Sequence, residues 1–161
     1  FGHTMAAGDI DGDGADDLVV SAAGADSEAG EVGIFLSDGT DLDTNNPDVI
    51  TNVISSFTSG LGVELAVGDL DQDGDDDIAI TYAVYDYPAA GDGLVMVHES
   101  DNGAYPTMNS VIASDAGFSG GTNVGSDLAI GNLQRTGSLD LVVGMSGADS
   151  ATGAVHLDQP L

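Results

Sequence analysis

The stretch DIDGDGADD, from Asp9 to Asp17, sets carboxylates at Asp9, Asp11, Asp13, Asp16 and Asp17. A second copy, DLDQDGDDD, runs from Asp69 to Asp77. Ca²⁺ is a hard cation that takes six to eight oxygens at about 2.3–2.6 Å. Alternating Asp9, Asp11 and Asp13 can converge on one ion as the chain curls, with Gly14 at the sixth position for a sharp turn. The carbonyl of Ala15 is the seventh-position oxygen, and Asp17 closes the cage from the ninth. The second copy supplies Asp69, Asp71, Asp73, the Asp75 carbonyl and Asp77, with Gly74 at the turn. Position twelve, acidic in a helix–loop–helix calcium site, is Val20 or Ile80 here, inside an apolar run. The spacing therefore points to a strand–loop–strand site. A solvated Asp/Gly turn is the alternative, but so many carboxylates this close repel one another without a cation.

A third passage, NLQRTGSLD from Asn132 to Asp140, keeps the turn at Gly137 and the acid at Asp140. Its other side-chain positions are Asn132, Gln134 and Thr136, so no tight Ca²⁺ is expected there. Arg135 either pairs with Asp140 or a neighbouring acid, or points to solvent.

The elements that must position these loops follow from repetition. MAAGD, LAVGD and LAIGN precede the loops, which start 60 and then 63 residues apart. DLVVSA, DIAITY and DLVVGM follow them, then Gly/Ala/Asp-rich turns. Alternating strands come next, with Val32/Ile34, Val95/Val97 and Val155/Leu157 each on one face. β-branched segments from Asp48 and Asn109 end the first two units. Each full unit reads as about four short strands separated by turn signals. The expected fold is all-β and of β-propeller type, with three consecutive four-stranded antiparallel blades, the last incomplete. The units are 1–59, 60–122 and 123–161.

These residues resemble the FG-GAP repeat, the blade unit of integrin α-subunit β-propellers and related secreted propellers. Phe1-Gly2, Leu61-Gly62 and Val124-Gly125 open the three units, and the Gly-Asp step, the acidic loop and the apolar strand follow in register. The literal Gly-Ala-Pro is absent; Ala22-Ala23-Gly24 and Met145-Ser146-Gly147 stand near its place. The resemblance implies Ca²⁺ in the loop between a blade's first two strands, and a role in adhesion and extracellular recognition.

Composition narrows the classes. The chain has 161 residues, 28 acids and one base, Arg135, for a net charge of −27. Such a surface repels nucleic acid and anionic membranes. No apolar run is long enough to span a bilayer. Without cysteine there are no disulfides, which leaves bound metal as a staple for an extracellular chain. The two acidic loops hold eleven of the 28 acids. The rest suggest a halophilic or marine source, where salt screens self-repulsion.

The start at Phe1 and the absence of a leader suggest a processed product or a fragment. Three blades are fewer than the four to eight of closed propellers. That leaves a larger propeller, or copies of the chain joined through open blade edges into an oligomer or filament.

No catalytic motif is present. His3, His98 and His156 occupy non-equivalent places and read as strand-surface residues. Tyr82, Tyr85 and Tyr87 are the one hint of a carbohydrate-active enzyme or its accessory domain; a tyrosine-lined loop packing on its neighbour is the favoured reading of them. The favoured reading is a non-catalytic, calcium-stabilised module that binds a protein or glycan ligand outside the cell. A self-assembling structural subunit comes second.

Overall fold

In the computed structural model, residues 1–25, 30–51, 59–84, 93–101, 110–112, 123–135, 137–146 and 154–158 are described. Among the described residues, eleven strands form three antiparallel sheets. The first contains β1 (Met5–Gly8), β2 (Asp17–Ala22), β3 (Glu31–Phe35) and β4 (Asp48–Thr51), paired in that order. The second contains β5 (Ser59–Gly68), β6 (Asp77–Val84), β7 (Gly93–His98) and β8 (Ser110–Ile112), again in order. The third pairs β9 (Val124–Gly131), β10 (Asp140–Met145) and β11 (Ala154–Asp158). Up-and-down sheets of this kind are the blades expected of an all-β propeller, although these three do not close a ring.

Period-two alternation explains the packing, because successive side chains leave opposite faces of a strand. In the middle sheet Leu65, Ile78, Ile80, Tyr82 and Met96 meet Val19, Val32 and Ile34 of the first sheet and Ile10 of the loop between its first two strands. From the opposite face Ala66, Ala79, Val95 and Val97 meet Val124, Leu141, Val143 and Met145 of the third. The core is thus two apolar layers between successive blades. Ile80, Val95 and Ile34 are fully buried, and each such side chain is worth about 1.5–3 kcal/mol in area removed from water.

The Φ-Gly step at the start of the first and third units has a local cause. Gly2 and Gly125 take φ of +79° and +75°, a region open to glycine at little cost. The Gly125 carbonyl accepts a hydrogen bond from Thr81 Oγ1 at 3.0 Å, tying the third blade to the second.

The registers place the loops. Gly8 pairs with Asp17, Gly68 with Asp77 and Gly131 with Asp140. In every blade the ninth loop residue therefore begins the second strand, directly opposite the end of the first.

Candidate metal centre

The ninth-position aspartate anchors each loop. Asp17, Asp77 and Asp140 are all buried. Asp17 Oδ2 accepts from the Ile10 amide at 2.9 Å, Asp77 Oδ2 from Leu70 at 2.8 Å, and Asp140 Oδ2 from Leu133 at 2.7 Å. The other oxygen of Asp17 accepts from the Ser37 amide at 2.7 Å, and that of Asp77 from the Ser100 amide at 3.0 Å. This side chain closes the turn from the strand side, whatever else it ligates.

Two carboxylate triads result. Oxygens of Asp9, Asp11 and Asp17 lie within 4.8 Å of one another, as do those of Asp69, Asp71 and Asp77. Asp9 Oδ1 and Asp69 Oδ1, at equivalent positions, are buried without a hydrogen-bond partner. A carboxylate oxygen removed from water with nothing to accept from is costly, and a cation among the three acids satisfies it. The donor set, hard oxygens only, suits Ca²⁺ or a similar ion. Tested this way, both loops fit the cation.

The remaining sequence candidates sit differently. Asp13 and Asp73 fall outside the triads. Asp13 Oδ1 accepts from the Ala15 amide at 2.8 Å and Asp73 Oδ1 from the Asp75 amide at 3.0 Å, which shapes the turn. Gly14, Gly74 and Gly137 all take positive φ, as the sixth position was expected to require. The fourth position was not anticipated: Gly12, Gln72 and Arg135 also lie in the left-handed region, at +70°, +67° and +57°. Gly12 was the one signal of it in the sequence.

Burial decides the electrostatics. Desolvation pushes the Asp77 carboxyl up to about 6, with the Asp71 charge adding to it. Burial raises Asp17 too, against the hydrogen bonds from Ser37 and Ile10, with Asp11 adding to the rise. Asp71 and Asp76 are raised, by burial first and neighbouring carboxylates after it. Acids that resist ionisation alone are suited to ionising around a cation. A cleft of about 370 Å³ opens beside the first loop, lined by Asp11, Asp13, Asp38, Asp41 and Asp43 together with Leu36 and Leu42.

The third loop answers the question left at Arg135. Asp140 accepts from the Leu133 and Gln134 amides at Oδ2, and from the Gln134 side-chain Nε2 at Oδ1 at 3.2 Å. Gln134 supplies the side-chain donor, and Arg135 is exposed. An internal amide holds the turn here.

One expectation changes. His98 is buried at the end of β7, not on a strand surface; it pairs with Ile78, whose face is covered by the first blade. His3 is exposed, and the side chain of His156 lies outside the described residues. Tyr82 is fully buried, and burial raises its hydroxyl pKa to about 12. It therefore packs in the core. Tyr85 and Tyr87 lie outside the described residues. Among the described residues no helix is long and apolar enough to cross a membrane.

Comparison with known proteins agrees with the repeat pattern. The model of the FG-GAP repeat matches residues 1–35 and 61–98. Integrin alpha-IIb of Mus musculus is 32% identical over 174 residues, covering 100% of this chain and 16% of that protein. Integrin alpha-IIb of Homo sapiens is also 32% identical, over 173 residues, with 100% and 16% covered. Integrin alpha-7 of Homo sapiens is 34% identical over 159 residues, covering 94% of this chain and 12% of that protein. The chain thus spans about a sixth or less of the length of these relatives.

Proposed function

The chain belongs to the FG-GAP repeat family and is integrin α-like, and from that premise we propose that it is a non-catalytic, calcium-stabilised recognition or adhesion module working outside the cell. The observation that carries the calcium part is the pair of buried, unpartnered oxygens, Asp9 Oδ1 and Asp69 Oδ1, at the same place in two loops. Asp9, Asp11 and Asp17 hold one ion and Asp69, Asp71 and Asp77 the other, with Asp13, Asp73 and the carbonyls of Ala15 and Asp75 completing the shells. The loop from Asn132 to Asp140 holds none. The ions fix the corners between the first two strands of the first and second blades, and the blades present loops to a protein or glycan partner. A net charge of −27 directs that partner away from nucleic acid and toward neutral or basic surfaces. It also makes a salty medium favourable. Binding of the immobilised chain to panels of extracellular-matrix proteins and of glycans, with Ca²⁺ or with a chelator, tests the reading. Saturable, chelator-sensitive binding to a member of either panel supports it. Turnover of a glycan substrate would instead favour a carbohydrate-active enzyme.

A second reading rests on Met5. It is 63% exposed on the outer face of the first blade, while Leu65, its equivalent in the second, is 8% exposed under the first blade. Association of blade faces between copies would cover Met5 in the same way. Sedimentation that stays monomeric up to high concentration, with Ca²⁺ and salt present, excludes it.

A further inference from the structure

The two acidic loops belong to different blades, yet their ligands are wired together. Asp76, beside the ligand Asp77, reaches across the interface: its Oδ2 accepts from the Asp9 amide at 3.0 Å, and its own amide donates to the Asp9 carbonyl at 2.8 Å. A second route runs through Ser100. Its amide donates to Asp77 Oδ1 at 3.0 Å, and its hydroxyl donates to the Ile10 carbonyl at 2.5 Å. Ile10 in turn donates its amide to the ligand Asp17. The Asp75 carboxylate also lies against Gly12 of the first loop. Asp76 thus contacts Asp9 and adjoins Asp77, and Ser100 contacts Asp77 and reaches Asp17 through Ile10.

We propose that Asp76 and Ser100 are positioning residues that couple the two cation sites, so that filling either loop raises the affinity of the other. The proposal rests on the calcium reading of these loops. An ion in the first loop fixes Asp9 and Asp17, hence the Asp9 peptide and the Ile10 carbonyl. Those groups hold Asp76 and Ser100, which hold Asp77 and the start of β6. The ordering cost of the second loop is then partly met before its ion arrives, and positive cooperativity follows. The third blade supplies an internal comparison. Leu139 occupies the place of Asp76 and lies 3.2 Å from where a Gly68 side chain would begin. Where the loop has lost its ligands, the polar bridge to the preceding blade has become an apolar contact.

Calorimetric titration of the metal-free chain with Ca²⁺ tests the coupling. Asp11→Asn disables the first loop and Asp71→Asn the second, giving each site's affinity alone. In the wild type the product of the two association constants should exceed the product of these single-site values by about fivefold or more. In the Asp76→Ala/Ser100→Ala variant, checked for native circular dichroism, with the same two loop substitutions, the excess should fall below about twofold. Asp76→Asn, which keeps an acceptor for the Asp9 amide, should restore it in the Ser100 background. A wild-type product equal to that of the isolated sites, or an excess that survives in the double variant, overturns the proposal while leaving the calcium reading intact. No binding at either loop removes both. If the double variant does not fold, Ser100→Ala alone must lower the excess, and an unchanged excess there counts against the coupling.

Discussion

Asp76 and Asp9 hold each other by two hydrogen bonds across the boundary between the first and second blades, amide to carboxylate at 3.0 Å and amide to carbonyl at 2.8 Å. The contact needs a glycine beside it, since a side chain at Gly8 would run into Asp76 Oδ2 and Val67. It also needs an acid in a half-buried place crowded by Asp9 and Asp69, whose charges add to the effect of burial and hold the Asp76 carboxyl above its usual range. An interface built from carboxylates is stable only when something neutralises them. On the proposed calcium reading, the cations would therefore support the fold as well as the loops.

The pH response follows from the raised carboxyls. Without cation, folded Asp77 keeps its proton up to about pH 6, while the unfolded chain releases it near 3.8. The folded state binds more protons in that window, so stability falls as pH rises through it. Asp17, Asp71 and Asp76 shift in the same direction. Ca²⁺ selects the ionised forms and competes with those protons. The expected result is a melting temperature that drops between about pH 4 and 6 in the metal-free protein, and a gap between metal-free and calcium-loaded protein that widens over the same range. Thermal melts at several pH values, with and without Ca²⁺, check both.

Sterics between blades give a sharper stability test. A methyl group at Gly93 on β7 would overlap the Val124 carbonyl of β9 and lie 2.8 Å from its carbon. Backbone cannot give way there as a side chain can. Gly93→Ala should cost about 3 kcal/mol. Gly144→Ala, with its nearest atoms at 3.3 Å, should cost clearly less. Ile80→Ala, at a fully buried site in the layer between the first two blades, should cost about 2–5 kcal/mol. Denaturant unfolding ranks the three.

The fourth loop position offers gains. Gln72 and Arg135 hold left-handed backbone without being glycine, at φ of 67° and 57°. That conformation costs an L-residue about 1–2 kcal/mol, and glycine's extra freedom in the unfolded chain returns part of the relief. Gln72→Gly and Arg135→Gly should each stabilise by about 0.5 kcal/mol, read as a higher denaturant midpoint. Gly14→Ala should lose stability although no atom lies within 4 Å, because its φ is +93°.

Much of this was legible in the sequence because periodicity and turn chemistry are local. The alternation Val32/Ile34 and Val95/Val97 marked the faces that pack between blades, and all four are buried. Gly14, Gly74 and Gly137 marked the turn. Other features depend on which blade faces which, and a single repeat does not encode that. Asp76 looked like one more acid in a cluster until the interface set it against Asp9. His98 read as a surface residue because its burial comes from packing outside its own strand. Arg135 drew attention as the lone cation, while Gln134, the residue that reaches Asp140, looked inert.

The decayed third loop can be rebuilt. It retains the turn at Gly137 and the buried anchor Asp140. Asn132→Asp, Gln134→Asp and Thr136→Asp together restore the acid pattern of the first two loops. Gln134→Ala alone removes the amide that satisfies Asp140 and should cost about 1 kcal/mol. The triple variant should bind one more Ca²⁺ than the wild type in calorimetric titration, and should be less stable than the wild type without it.

The central claim is that two cations hold these blades, and a calcium-dependent melt tests it most directly. At about 100 times the dissociation constant, each ion adds about 2.7 kcal/mol to the folded state. Two ions should raise the melting temperature of a chain this size by about 10–20 °C. The wild-type protein at low ionic strength, melted in chelator and then across a Ca²⁺ series, should show a rise that continues with the logarithm of calcium concentration. Asp17→Asn and Asp77→Asn should each remove part of that rise. A melting temperature that is the same in chelator and in saturating Ca²⁺ would contradict the account.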